Sequence, residues 1–217
     1  MTVRAALPPA STFLAEAMMA EPETTKTAHR GTGVFFGFLP WIIFDVVAGP
    51  STWQLAAFTA LVAAVLLGVP EFRRGNARVL EVTGLVFFAV VSILSLVLDR
   101  NDLLWLETYA QPLSNGIIAV VALGSLAFTP FTESYARESV PPEFWNSPLF
   151  KHTNRVLTAV WGGVFVANTL LGLLAVHTRL SGDWLNWVIP VLLIVFAVKF
   201  TSWYPGRARE RTAHRVR

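Results

Sequence analysis

Five polar side chains within otherwise apolar stretches of this chain are the candidates for chemistry: Asp45, Glu107, Gln111, Asn115 and Asn168. A carboxyl group among lipid-facing residues needs water, a partner or a proton, so it counts first as a contact for a ligand, ion or proton. Asp45 follows the run Phe38-Leu39-Pro40-Trp41-Ile42-Ile43-Phe44 and precedes Gly49 by four residues. That places it roughly 6 Å from the end of its segment. Two roles compete for it: a substrate or ion contact, or an interfacial carboxylate paired with Arg100 or Arg179. Glu107 lies near the same side. If the two acids met in one cavity, one of them protonated could act as a general acid. Asn115 and Asn168 fall near the middle of their segments. Such amides either join helices by hydrogen bonds of about 0.6–2 kcal/mol or line a cavity. Gln111 and Pro112 sharpen the choice at Asn115, because a proline inside a helix releases a backbone carbonyl.

Other chemistries are excluded by residue type. There is no cysteine, and the four histidines (His29, His152, His177, His214) show neither HxxH nor HExxH spacing. Disulfides, thiolate catalysis and Cys-ligated clusters are out, and neither a metal site nor a cofactor is expected. The net charge of +3 does not indicate nucleic acid, because the basic residues are distributed by another rule.

That rule concerns the membrane. Six apolar stretches dominate the sequence: Gly33–Gly49, Trp53–Val69, Val79–Leu98, Leu103–Phe128, Val156–His177 and Trp184–Trp203. Each approaches or reaches the 17–25 residues, about 20 on average, that a helix needs to cross a bilayer. Hydrophobic residues make up 54% and charged residues 14% of the chain, against about 25% charged in soluble domains. The expected fold is all-α, a polytopic membrane bundle of six transmembrane helices over residues 33–203. A mobile cytoplasmic segment (1–32) precedes it and a basic tail (204–217) follows. Residues 1–30 lack the pattern of a signal peptide. With six spans, 15 of the 17 Lys and Arg residues fall on one side and only Arg100 and Arg179 on the other. Lys and Arg collect in cytoplasmic loops, so both termini are expected to be cytoplasmic. The opposite side gathers Asp45, Asp99, Asp102, Glu107 and Asp183, either an acidic vestibule for a cation or ordinary loop solubility.

A weak internal repeat accompanies this pattern. Arg78-Val79-Leu80 and Arg155-Val156-Leu157 each open a Gly- and Phe-containing stretch, followed by Asp102 with Trp105 or Asp183 with Trp184, then Pro112 or Pro190. Three helical hairpins in the same orientation would produce it; so would short loops with interfacial Trp belts. Gly33-x-x-x-Gly37 and Gly162-Gly163 offer close helix approach. Glu81 is expected to pair with Arg78 three residues earlier.

The segment 129–155 is the most informative polar piece. Phe131, Tyr135, Phe144, Trp145, Leu149 and Phe150 alternate with charged residues. Thr132 is expected to cap a short helix running to Arg137, with Pro141-Pro142 ending it. Tyr135, Arg137, Glu138, Trp145, Asn154 and Trp161 are the candidates for meeting a protein partner at this cytoplasmic loop.

Phe38-Leu39-Pro40, Val140-Pro141-Pro142-x-x-Trp145 and Asn154 followed at seven residues by Trp161 resemble the intracellular septation protein A family of bacterial inner-membrane proteins. The resemblance covers most of residues 35–200. The segment Thr129–Glu138 looks more like a septation-protein-like branch of actinobacterial membrane proteins. The resemblance implies a bacterial cytoplasmic-membrane location and a role in envelope organisation or division through lipid or protein contacts, and it carries no catalytic residues. Three functions are therefore open: a non-enzymatic membrane organiser, with membrane lipids, a loop-bound protein or a second copy of the chain as partners; a small-molecule or ion transporter using Asp45 and Asn115; and an intramembrane enzyme on a lipid or isoprenoid using Asp45 and Glu107. Convergence of Asp45, Glu107 and Asn115 on one cavity would favour the last two.

Overall fold

The computed structural model of the chain describes residues 32–48, 52–75, 78–178 and 184–215. The expectation of a mobile N-terminal segment lies outside them, as do the outer-turn residues Arg179 and Asp183. Seven α-helices run through the described residues: α1 Thr32–Val47, α2 Trp53–Arg73, α3 Val79–Val97, α4 Arg100–Ser125, α5 Phe131–Ala136, α6 Pro148–Thr178 and α7 Ile189–Arg215. A π-helical turn, Trp184–Val188, leads into α7. No strand occurs among the described residues. Four stretches, in α2, α3, α6 and α7, are long and apolar enough to cross a membrane. The chain is a membrane-embedded helical bundle.

Local sequence explains where these helices begin. Asp99 accepts hydrogen bonds from the backbone N–H groups of Asn101 and Asp102, each at 3.2 Å. This N-cap starts α4 at Arg100, three residues before the apolar stretch at Leu103. Ser147 accepts from the Phe150 N–H at 3.2 Å, and Pro148 occupies the first helical position, where a missing N–H costs nothing. α6 therefore begins inside the expected loop, and Asn154 and Arg155 are helical. At the other end of the chain, Arg, Ala and Glu favour helix, and α7 continues through the expected basic tail to Arg215.

Packing follows small residues and aromatic rings. Ala56, Ala60, Ala64 and Gly68 recur every four residues along the buried face of α2, which lets α1 and α3 approach closely. Phe38, Trp41, Phe44, Phe87, Phe88, Trp161 and Phe165 form the central core. Phe38 stacks on Trp161 with ring centroids 4.7 Å apart. α4 runs antiparallel to α6. A Cβ on Gly172 would meet Pro112 Cγ at 2.9 Å, one on Gly116 would meet Thr169 at 3.6 Å, and one on Gly162 would collide with Leu123. Of the expected glycine pair, Gly162 makes the close approach, whereas a Cβ on Gly163 would enter open space. Two of the three expected hairpins pack as neighbours, α1 with α2 and α6 with α7, whereas α3 packs chiefly on α2, and α4 on α6 rather than on α3.

The first part of the 129–155 segment packs into the bundle, while residues 137–147 stay mostly exposed. α5 inserts Phe131, Thr132, Glu133 and Tyr135 into buried positions. Thr132 is not the cap that its sequence context suggests: Pro130 holds that position. The Thr132 hydroxyl donates to the Asn154 carbonyl at 2.9 Å and stands 2.9 Å from the Thr158 hydroxyl. Tyr135 packs against Gly37, where any Cβ would overlap its hydroxyl. Its ring lies under Arg78, with the guanidinium carbon 4.5 Å from the centroid. Burial pushes the Tyr135 phenol above its usual range, so the ring meets Arg78 as a neutral π face. Arg78 also bonds Glu81 at 3.2 Å, as expected from their spacing, and reaches Glu138 and Glu71. This ion cluster ties the α2–α3 turn to the segment after α5.

Candidate functional site

α1 is only 16 residues long, and its C-terminal end stops beside the interior of α4. A helix end away from water leaves carbonyl oxygens in need of donors. Two side chains supply them. Thr52 donates to the Val47 carbonyl at 2.6 Å, and Gln111 donates through Nε2 to the Asp45 carbonyl at 3.2 Å. The second bond crosses from α4 to α1 and fixes the orientation of the Gln111 amide, leaving Oε1 and one N–H of Nε2 unused.

The Asp45 side chain lies in the same place. Its Oδ1 is 3.4 Å from the Ser114 hydroxyl. That hydroxyl has one proton and is also 2.9 Å from the Gln111 carbonyl. Neither Arg100 nor any other described cation pairs with Asp45, so the interfacial ion pair is not formed among the described residues. Asn115 donates through Nδ2 to the Gln111 carbonyl at 3.1 Å. The helix-joining bond expected of Asn115 is thus a bond within its own helix, and Oδ1 has no partner. Asn168, on α6, also presents a buried Oδ1 without a partner.

These groups surround one cavity of about 280 Å³. Its polar lining is Asp45, Gln111, Asn115 and Asn168, from α1, α4 and α6. The volume is close to the lower end of small-ligand pockets, about 300–1,000 Å³. Pro112 and Gly172 close one wall, and Leu185 and Trp187 from the π turn join Pro190 on another. Pro190 cannot donate to the carbonyl four residues earlier, and the backbone widens to the π form just before it. Ile42, Val46, Val191 and Val195 line the flank between α1 and α7, and all four are exposed. The cavity therefore opens sideways through an apolar mouth.

Four of the five sequence candidates meet here. Glu107 does not: it lies one turn nearer the α4 N-terminus than Gln111, outside the lining. The paired-acid arrangement expected for an intramembrane enzyme is thus not assembled. Among the described residues, no three His, Asp or Glu side chains group as metal ligands. The sequence reading missed Trp187, Pro190 and Gly172. The Pro190 position and the adjoining tryptophans were the available signals, but nothing in sequence separated them from an ordinary interfacial belt.

The loop residues fare differently. Tyr135, Asn154 and Trp161 are buried and face their own bundle rather than a partner. Asn154 donates to the Phe150 carbonyl at 2.9 Å, and Trp161 Nε1 donates to the Thr201 hydroxyl at 2.9 Å. Arg137 and Glu138 are exposed, and Trp145 is half-buried with Nε1 on the Val140 carbonyl at 2.8 Å. Of the residues that suggested a family resemblance, Phe38 and Trp161 lie in the core, Pro141 and Pro142 are exposed, and none lines the cavity. Comparison with protein-family models, curated proteins and solved structures finds no match to this chain.

Proposed function

We propose that this chain is a six-span membrane protein that binds a small lipophilic molecule taken laterally from the bilayer, and that it acts as a carrier rather than as an enzyme. The observation that carries this reading is the convergence of Asp45, Gln111, Asn115 and Asn168 on one cavity with an apolar sideways mouth. Glu107 stands apart, which leaves acid–base catalysis without a second carboxyl group. The buried positions of Tyr135, Asn154 and Trp161 weigh against a scaffold working through its loop.

The 26 residues of α4 extend about 39 Å at 1.5 Å per residue, enough to cross. The 16 described residues of α1 extend about 24 Å, short of the ~30 Å hydrocarbon core; the sixth span rests on the sequence pattern. The cytoplasmic assignment of both termini rests on the Lys and Arg distribution. The ion cluster supports it by gathering Glu71, Arg78 and Glu138 at one end of the bundle. A bacterial inner-membrane address rests on the septation protein A resemblance.

Native mass spectrometry of the protein in lipid nanodiscs tests the reading. Val195→Trp fills the mouth from an exposed position, and Glu107→Gln serves as a control outside the cavity. A small molecule or lipid held in defined ratio by wild type and Glu107→Gln, and lost from Val195→Trp, is the expected result. Identical retention in all three would remove the cavity from the function.

A further inference from the structure

The cavity holds one carboxyl group, and two of its carboxamide oxygens have no partner. Gln111 Nε2 serves the Asp45 carbonyl, and Asn115 Nδ2 serves the Gln111 carbonyl. The Ser114 hydroxyl divides between Asp45 and Gln111. What remains toward the space is the Asp45 carboxyl group, Gln111 Oε1, and the unpartnered Oδ1 atoms of Asn115 and Asn168. Against these stand the second N–H of Gln111, the Asn168 amide and Trp187, while the second N–H of Asn115 serves Asp45. Among the described residues, no Lys, Arg or His lines the cavity.

A buried acceptor without a donor is costly, by about 1–3 kcal/mol. A carboxyl group in low dielectric favours a cation that also donates hydrogen bonds. The rest of the wall is aliphatic, with Trp187 as its one aromatic face; a cation over a tryptophan ring gains further attraction. An anion would find one carboxyl group and no positive charge. A neutral hydrocarbon would leave the two orphan oxygens unsatisfied.

We infer that the cavity takes an amphipathic organic cation: a protonated primary amine, with its three N–H donors on Asp45, Asn115 and Asn168 and its apolar body against Val191, Ile194 and Trp187. This inference rests on the cavity being a ligand site. The ammonium group can come from an aminated lipid headgroup or from a free lipophilic amine, and the chemistry at Asp45 is the same for both.

The test compares three probes on one phenethyl body: phenethylammonium, 2-phenylethanol and phenethyltrimethylammonium. Binding is measured by ligand-detected NMR to the full chain in nanodiscs of phosphatidylcholine with phosphatidylglycerol, neither of which carries an N–H amine, and empty discs correct for partitioning. Phenethylammonium is expected to bind at least about tenfold more tightly than either analogue, a difference of about 1.4 kcal/mol. Asp45→Asn should abolish that preference, and Val195→Trp should abolish binding of all three. Displacement of phenethylammonium by added phosphatidylethanolamine would name a lipid headgroup as the source, and its persistence a free amine; either agrees with the inference. Equal binding of amine and alcohol, or an undiminished preference in Asp45→Asn, would overturn the cation class while Val195→Trp still upheld the cavity. Probe binding unchanged by Val195→Trp would overturn both readings.

Discussion

Replacing Arg78 by methionine tests how the bundle holds its polar end. Arg78 is 8% exposed and faces three carboxylates whose environments differ. Glu138 keeps 48% of its side-chain surface, so its contact with Arg78 is screened and contributes within the ~0–1 kcal/mol of exposed pairs. Glu81 keeps only 9%, so removing Arg78 strands a buried charge, at a cost of about 3–5 kcal/mol. Loss of the guanidinium from the Tyr135 face adds a smaller cation–π contribution, about 0.5–2 kcal/mol. The net expectation for Arg78→Met is a destabilisation of about 3–5 kcal/mol, dominated by the stranded carboxylate. Glu81→Gln placed on top of Arg78→Met removes that charge, so the double variant should be more stable than Arg78→Met alone. The coupling should fall toward the upper end of about 0.5–3 kcal/mol. Equilibrium unfolding in mixed micelles, followed by circular dichroism for wild type, both single variants and the double, gives the cycle directly. A loss below about 0.5 kcal/mol in Arg78→Met, or simple additivity of the two substitutions, would refute the argument that Arg78 compensates a buried Glu81.

Two further outcomes follow from the docking of α5. Gly37→Ala places a Cβ on the Tyr135 hydroxyl; overpacking of this kind costs about 1–3 kcal/mol, and trypsin should cut after Arg137 faster than in wild type. Thr158→Val keeps the shape but leaves the Thr132 amide and hydroxyl without their Thr158 partner. A loss of about 1–3 kcal/mol is expected, with Thr158→Ser close to wild type; a larger loss in Thr158→Ser than in Thr158→Val would mean that the methyl group, not the hydroxyl, matters.

Much of the helical architecture is legible in the residue pattern, because a bilayer demands long apolar runs and leaves the backbone little choice but helix. The runs at Trp53, Val79 and Val156 appear as helices that begin at or before those positions. Helix starts were less legible. Asp99 and the Ser147-Pro148 pair act through backbone N–H groups a few residues ahead, and hydropathy does not register this. Thr132 looked like a cap because its type suits one; its hydroxyl was instead drawn to Asn154 and Thr158 on α6, partners that exist only once α5 has docked. The hairpin repeat visible in the sequence is only partly present in the packing, where α1–α2 and α6–α7 pair but α3 and α4 pack elsewhere, since interfacial Arg, Asp and Trp residues report depth in the membrane and not which helix is next door.

The sequence by itself determined that Asp45, Gln111, Asn115 and Asn168 would be held in apolar surroundings, and so that each would need a partner. Which of them share a cavity was decided only by tertiary structure. Gln111 and Glu107 lie one turn apart on α4, about 6 Å along its axis, yet only Gln111 reaches α1, where its bond to the Asp45 carbonyl caps the helix end. The helix pairing that brings Asn168 to the same space depends on Gly116, Gly162 and Gly172 letting α6 close on α4. A single helical period cannot encode that, because it specifies a face but not the neighbour that the face will meet.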